Sequence, residues 1–348
     1  MTEGPAAHVR SLCTASPEHR LPQRELADFA KRFFGDLPGL PRLLSTFGNA
    51  GIDERQLARP VHWYEAPHTF AEKNEVYRQT ALALSQRAAE RALDEADTPP
   101  ERIAAIVFVS STGISTPSLD APLSAALGLA PSTMRVPIWG LGCAGGAAGL
   151  SRAAALCTAL RAPVLLVSVE VCSVTFVQDD HRKSNVIATA LFGDGAAAVV
   201  LSPQGPGPRV LGGYSHLLPD TEYVMGWDLQ ASGLAVRFSP EIPAITHRMA
   251  PVIVEEVRQQ YGLPARPERL VLHPGGPRVI DAYQDALQLP EDSLAAEREV
   301  LRRHGNMSGP TVLFVLGKTL DDPPPAGAYG LVLGLGPGFC AEGAVLAW

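Results

Sequence analysis

The chain has 348 residues, a formal net charge of −7 at pH 7 and 46% hydrophobic residues, which is typical of a compact globular protein with a large core. The acidic balance argues against a nucleic-acid-binding surface. The longest apolar stretch, 162–177, is interrupted by Glu170 and is shorter than the ~20 residues of a spanning helix. Residues 1–5 lack the features of a secretory signal, and the five scattered cysteines suggest neither disulfides nor a metal site. We therefore expect a reduced, cytoplasmic protein with no membrane segment.

Helices and buried strands alternate along the chain. Residues 22–34 are predicted to form an amphipathic helix, and residues 74–96 a longer helix with one apolar face. The continuous apolar runs 103–109 and 164–169 are typical of strands covered on both faces. This alternation predicts an α/β fold in which the strands pack between helices.

Three pairs of short motifs recur in the same order in the two parts of the chain. The pairs are 100–103 with 267–270, 142–143 with 305–306, and 193–195 with 336–338. A Pro/Gly-rich segment, 202–208, separates the two sets. We therefore predict two similar α/β halves, residues 1–205 and 206–348.

Cys143 lies in the sequence Gly-Leu-Gly-Cys-Ala-Gly-Gly, between an apolar run and a stretch of small residues. This pattern predicts a strand, a tight turn and a helix with the thiol at the turn. The unpaired N–H groups and positive dipole end of the helix favour a thiolate there. The alternative is a buried structural cysteine.

Two further residues complete a possible catalytic group. His273 follows a short apolar strand and precedes Pro-Gly-Gly, and Asn306 occupies the helix start that the repeat pairs with Cys143. A Cys–His pair can give an activated nucleophile, and an Asn amide can donate to an oxyanion or enolate. Each residue could also be structural, Asn306 as a helix cap.

Five motifs together carry a family resemblance. They surround Cys143, Phe192, His273 and Asn306 and occupy residues 334–339. In this order they resemble type III polyketide synthases, the chalcone synthase superfamily, from about Arg55 to the C-terminus. The resemblance implies a thiolase-like fold with αβαβα layers, a homodimer, and a catalytic triad of Cys143, His273 and Asn306.

The resemblance also implies the chemistry. Cys143 would take an acyl group from acyl-CoA, and malonyl-CoA would lose CO₂ and extend it repeatedly. No cofactor or metal is implied, because loss of the carboxylate itself generates the carbanion. A ketoacyl synthase III-like enzyme that performs one condensation, a Cys–His thioester hydrolase and a non-catalytic scaffold are the alternatives.

The same alignment suggests the residues of the substrate cavity. Phe192 corresponds to the aromatic gatekeeper, Val236 replaces a second gatekeeper phenylalanine, and Trp227 replaces a small glycine. Cys172 and Thr116 replace threonine and methionine. Smaller residues at Val236 and Thr116 would open an apolar channel, which favours an aliphatic starter. The segments 224–229 and 238–243 resemble bacterial alkylpyrone and alkylresorcinol synthases. Ordinary core packing is the alternative for each position.

Six more positions are expected to contact substrate. Lys31 and Arg32 could meet the phosphates of CoA, unless they are simply solvated charges on a helix. The other four follow from the family alignment and are Ser111, Thr175, Gly276 and Ser308.

Overall fold

The computed structural model describes residues 7–35, 37–178 and 180–348. The first six residues, in which the sequence indicates no secretory signal, lie outside that range. Within it the helices are α1 (Gln23–Phe33), α2 (Leu40–Gly48), α3 (Phe70–Glu95), α4 (Asp120–Leu127), α5 (Gly145–Leu160), α6 (Lys183–Leu191), α7 (Ile242–Tyr261), α8 (Pro277–Ala286), α9 (Ala295–His304) and α10 (Gly309–Asp321).

The strands of the described residues alternate with these helices. They are β1 (Ala7–Ala15), β2 (His19–Pro22), β3 (Glu54–Leu57), β4 (Ala105–Val109), β5 (Met134–Ile138), β6 (Val164–Val171), β7 (Asp194–Ser202), β8 (Arg209–Leu217), β9 (Met225–Gln230), β10 (Gly233–Phe238), β11 (Arg269–Leu272), β12 (Tyr329–Gly336) and β13 (Cys340–Ala347).

The predicted elements are present with shifted ends. The helix predicted at 74–96 begins one turn earlier, because Thr69 and Glu72 form a capping box that satisfies backbone N–H groups at the start of α3. The strand predicted at 103–109 begins at Ala105, since Ile103 N–H donates to Pro100 O and ends a short 3-10 turn.

One mixed sheet of nine strands connects the two halves of the described chain, in the order β11-β12-β13-β8-β1-β7-β6-β4-β5. From the central pair outward, β1-β7-β6-β4 matches β8-β13-β12-β11 in chain position and direction. The N-terminal part has one further edge strand, β5. The sheet is thus built from two similar sets of strands, and the division into halves at residue 205 stays a prediction.

Helices α5 and α10 form the middle layer of the molecule. Their apolar side chains share one core cluster with residues from both parts of the sheet, such as Val107 and Val332. On the outer faces, α3 and α4 pack on the N-terminal strands and α7 and α8 on the C-terminal strands. The layer order is therefore αβαβα, as predicted.

One segment of the middle layer has a composition that could suggest a membrane helix. The stretch Gly142–Leu160 is long and apolar enough to cross a membrane, but 67% of its most apolar window is buried inside the protein. It is the core helix that both parts of the sheet enclose.

Candidate active site

Cys143 lies in a 3-10 turn between β5 and α5 and is 5% exposed. Gly142, just before it, has a φ of +46°, in the left-handed region that favours glycine. Further along, a Cβ on Gly146 would lie 2.2 Å from the carbonyl oxygen of Gly309. The small residues after Cys143 thus allow the start of α5 to contact the start of α10.

His273 follows the last residue of β11 and is 3% exposed. Its backbone N–H donates to Leu333 O over 2.9 Å, and its carbonyl accepts from Gly275 N–H over 3.0 Å. Neither ring nitrogen has a hydrogen-bond partner among the described residues. The imidazole is therefore held by its backbone while its polar atoms are available to a substrate or to the thiol.

Asn306 connects the His273 loop with the Cys143 turn. Its side-chain Nδ2 donates to Gly275 O over 3.1 Å, and its Oδ1 accepts from the backbone N–H of Ser308 over 2.8 Å. Both bonds fix the plane of the amide. Ser308 itself has a φ of +57°, a left-handed conformation that is costly for a residue with a side chain and often found at functional sites.

The Cys143 sulfur faces the side chains of Ser308 and Asn306. Burial raises the pKa of the thiol to about 11, and hydrogen bonds from these two side chains act in the opposite direction. Burial also lowers the pKa of His273 to about 3. The thiolate expected from the sequence therefore depends on the donors around the sulfur, because burial alone favours the neutral thiol. We call Cys143, His273, Asn306 and Ser308 the thiol corner.

The buried carboxyl group of Glu170 stabilises the turn before Cys143 by way of Ser111. Glu170 accepts hydrogen bonds from Ser111 N–H over 2.9 and 3.0 Å and from the Thr112 hydroxyl over 2.7 Å. Ser111 Oγ in turn accepts from the backbone N–H groups of Gly140 and Gly142, over 3.1 and 3.4 Å. Burial raises the pKa of Glu170 to about 7. Ser111, expected to bind substrate, thus has its hydroxyl engaged with the turn before Cys143.

Phe192 lies directly beside Asn306. The two residues form an isolated parallel β-bridge, in which Gly193 N–H donates to Asn306 O over 3.0 Å. The ring of Phe192 lies 6.1 Å from that of Trp227 and 5.4 Å from that of Phe238. Val236 pairs with Trp227 across the β9–β10 hairpin. These aromatic and aliphatic side chains and Cys172 belong to one small cluster next to the thiol corner.

An apolar cavity adjoins this cluster, with an empty volume of about 510 Å³ including its part open to solvent. Three expected substrate residues besides Phe192 line it: Cys172, Thr175 and Val236. Its remaining walls come from α1, β3, the 61–65 turn, the 173–176 turn and α6. The lining residues in these segments are Leu26, Phe29, Leu57, Val61, Tyr64, Ser173, Phe176, Asn185, Ala188 and Thr189.

The hydrogen-bond donors of the polar side chains that line the cavity are used within the protein. Tyr64 donates to Ser173, and Ser173 to Asp194, over 2.8 and 2.5 Å. The others donate to backbone carbonyls: Thr175 to Cys172 O, Thr189 to Asn185 O, and Asn185 to Val177 O and Asp180 O. Apart from the Cys172 thiol, the cavity therefore presents hydrocarbon and satisfied polar groups.

The remaining expected positions lie elsewhere. Thr116 is exposed on the loop after β4 and is not among the residues that line this cavity, so its expected part in an apolar channel stays a prediction. The chain turns outward here because Trp139 and Asn74 hold the carbonyls of Gly113 and Ile114.

Lys31 and Arg32 are exposed on the outer side of α1, and Arg32 pairs with Glu65 over 3.2 Å. This ion pair agrees with the alternative that Arg32 is a solvated charge on the helix surface. Binding of CoA phosphates by Lys31 and Arg32 stays a prediction. Gly276 directly precedes α8, and a Cβ added to it would face Leu191.

Sequence reasoning missed Arg55, a fully buried residue in β3. Its guanidinium donates to the carbonyl oxygens of Thr189, Ala190 and Phe192 over 3.0, 2.7 and 2.9 Å. Burial lowers its pKa to about 9, and the nearby Asp194 carboxylate opposes that shift. Arg55 thus fixes the turn that carries Phe192, a role that no local motif indicates because these three carbonyl groups are more than 130 residues away.

The layers and the buried thiol, imidazole and amide define a class of condensing enzyme that acts on thioesters. Family models for the N-terminal and C-terminal domains of chalcone and stilbene synthases match residues 58–206 and 209–347. The chain therefore belongs to the chalcone and stilbene synthase family, the type III polyketide synthases.

Relatives and solved structures agree with this assignment. A putative chalcone synthase of Bacillus subtilis is 39% identical over 98% of this chain and 99% of its own. A 1,3,6,8-tetrahydroxynaphthalene synthase of Streptomyces peucetius is 38% identical over 98% and 93%. The crystal structure of the enzyme of that name from Streptomyces coelicolor superposes with a TM-score of 0.94, at 32% identity over 98% and 99% of the two chains. A structure of CsyB complexed with CoA-SH gives 0.91, at 26% identity over 98% and 100%. The resemblance, the thiolase-like fold and the condensing acyltransferase activity predicted from the sequence are confirmed.

Proposed function

We propose that Cys143 is the nucleophile of this type III polyketide synthase. Its sulfur attacks the carbonyl carbon of an acyl-CoA, the bond from that carbon to the CoA sulfur breaks, and CoA leaves with the thiol proton, which passes by way of His273. The acyl group is then held on Cys143 as a thioester. The open ring nitrogens of His273 and the donors at the sulfur support this assignment.

Malonyl-CoA then loses CO₂, and the electron pair of the broken C–C bond moves into an enolate. The Asn306 amide and the His273 ring donate to the enolate oxygen as charge develops there. The enolate carbon attacks the Cys143 thioester, forming a C–C bond and releasing the thiolate. Transfer of the longer chain back to Cys143 permits further rounds. No step requires a metal or an organic cofactor.

We propose an aliphatic acyl-CoA as the starter. The observation that carries this is the apolar cavity beyond Phe192 and Cys172, whose polar donors are already satisfied. A hydrocarbon chain loses no hydrogen bonds there, whereas the amides of a pantetheine arm would have to give up their bonds to water. Each buried methylene adds ~0.8 kcal/mol of favourable transfer free energy.

The relatives favour a second candidate. Tetrahydroxynaphthalene, the product in the name of two of them, is a bicyclic aromatic without an alkyl substituent, so an enzyme that makes it needs no alkyl starter. Incubation with malonyl-CoA alone, and with malonyl-CoA plus a series of saturated acyl-CoAs, followed by mass spectrometry, separates the candidates. We expect alkyl-bearing, multiply extended products. Exclusive formation of an aromatic from malonyl-CoA would refute the aliphatic starter, one extension would indicate a ketoacyl synthase-like enzyme, and free acid alone a hydrolase.

A homodimer is part of the proposal. Strand β5 is one of the two edge strands of the described nine-stranded sheet, so one of its edges is open to pairing. Apolar side chains near it are exposed, namely Ile114, Met134 and Trp139. A second copy would cover them, and light scattering should give twice the chain mass. The substrates and the reduced cysteines support a cytoplasmic location, which fractionation of producing cells would test.

A further inference from the structure

Helix α1 is a wall between the cavity and solvent. Leu26 and Phe29 line the cavity and are 5% and 3% exposed. The opposite side of the same helix carries exposed charged residues, among them Arg24, Asp28 and Lys31. On this side, the cavity is separated from water by the thickness of one helix.

The cavity lies between two apolar clusters. Cys172, Phe192 and Val236 belong to the cluster next to the thiol corner. Leu26, Phe29, Leu57 and Tyr64 belong to a different cluster, built from the N-terminal residues and α6. A chain that enters the cavity past the first cluster therefore ends against the second.

An aromatic group fixes α1 in this position. The ring of Phe176 lies 5.8 Å from that of Phe29 and 5.2 Å from that of Phe33, and the Phe29 and Phe33 rings stack at 5.3 Å. Phe29 and Phe33 are one helical turn apart, so they project from the same side of α1. Of these two, Phe29 lines the cavity and Phe33 does not. Substituting Phe29 and Phe33 separately therefore distinguishes an effect of helix packing from an effect of cavity length.

We propose that Leu26 and Phe29 of α1 set the length of the acyl chain that the enzyme accepts. This inference rests on the proposed aliphatic starter. The two side chains limit the cavity at its far end, so removing the Phe29 ring lengthens the space and enlarging Leu26 shortens it. One methylene that gains or loses a buried position changes the preference between neighbouring starters by about fourfold.

The test compares four full-length proteins: wild type, Phe29→Ala, Leu26→Phe and Phe33→Ala. Relative kcat/KM is measured for saturated acyl-CoA starters of increasing length with malonyl-CoA as extender, and the thermal transition of each protein is recorded. Phe33→Ala is the matched control, because it removes a ring of the same aromatic group that does not itself line the cavity. We expect Phe29→Ala to favour longer starters and Leu26→Phe shorter ones, by at least about fourfold per methylene. Phe33→Ala should keep the wild-type profile.

Two results would overturn the inference while leaving the proposed function intact. In one, wild type accepts alkyl starters and Phe29→Ala and Leu26→Phe both keep its profile. In the other, Phe33→Ala shifts the profile as much as Phe29→Ala does, so that helix packing alone is responsible. A wild-type enzyme that extends no alkyl starter at all would instead refute the aliphatic starter, and the length inference with it.

Discussion

The thiol corner and the apolar cavity are neighbours built in opposite ways. The corner consists of glycine turns and polar side chains whose bonds run to nearby backbone, such as Asn306 to Gly275 and Ser308. The cavity is lined mainly by apolar side chains, which come from six separate parts of the chain. The corner therefore depends on hydrogen bonds among a few short loops, and the cavity on the packing of side chains from many segments. Substitutions in the corner should change the rate of chemistry, whereas substitutions in the cavity should change the choice of starter.

The largest effect is expected at Cys143. Cys143→Ala should abolish product formation while the protein remains folded, because Ala fits the same turn and the sulfur is the proposed site of the thioester. The measurement is product mass spectrometry together with circular dichroism. Cys172→Ala is the matched control, since Cys172 is also buried near the corner but lines the cavity, and it should retain condensation. Extension of a starter by Cys143→Ala at near the wild-type rate would show that another group is the nucleophile.

The next effect separates two functions within the corner. Asn306→Ala should slow malonyl-CoA decarboxylation by about 10²–10³-fold, the usual cost of losing one donor to a developing oxyanion. Acylation of Cys143 should be affected less. His273→Ala should slow both steps, because His273 takes part in both. Stopped assays of ¹⁴CO₂ release and of acyl-enzyme formation measure them separately, and equal losses in both for Asn306→Ala would argue against distinct roles.

A cavity substitution should leave the chemistry nearly intact. Val236 lines the cavity and is 4% exposed, so the ring of Val236→Phe would occupy space that an alkyl chain uses. We expect a shift toward short acyl-CoA starters with decarboxylation of malonyl-CoA retained. Starter-length profiles of the two proteins check this. If they coincide, the acyl chain does not pass Val236.

The smallest effect on catalysis is expected at Glu297, a buried carboxyl group that accepts from Leu272 N–H over 3.0 Å, next to His273. Burial raises its pKa from 4.5 to about 7. The folded protein therefore holds this proton where the unfolded chain has lost it, so the free energy of unfolding falls as pH rises from about 4.5 to 7.

Glu297→Gln retains the acceptor and removes the titration. It should weaken the loss of stability over that range, by on the order of 3 kcal/mol at pH 8. Urea unfolding at several pH values measures it, with the exposed Glu291→Gln as control. An unchanged pH dependence in Glu297→Gln would show that this carboxyl group is ionised in the folded protein.

The difference between the two regions also explains what the sequence could predict. The turn at Cys143, the helix start at Asn306 and the loop after His273 are short motifs with steric requirements of their own, so the elements that carry them are where they were expected. The cavity brings Leu26 and Phe29 together with residues more than a hundred positions away, and Arg55 donates to a carbonyl group that is as distant in the sequence. No local pattern indicates such partners. Thr116 shows the same limit, because an alignment position does not reveal that its loop turns outward.

The most direct test of the account is to identify the acylated residue. Wild-type protein is incubated with a saturated acyl-CoA in the absence of malonyl-CoA, digested, and examined by peptide mass spectrometry. We predict one acyl group per chain on the peptide that contains Cys143, with Phe29→Ala and Leu26→Phe altering only which chain lengths are loaded. Acylation of Cys172, or of no cysteine at all, would contradict the assignment of Cys143 as the residue that holds the growing chain.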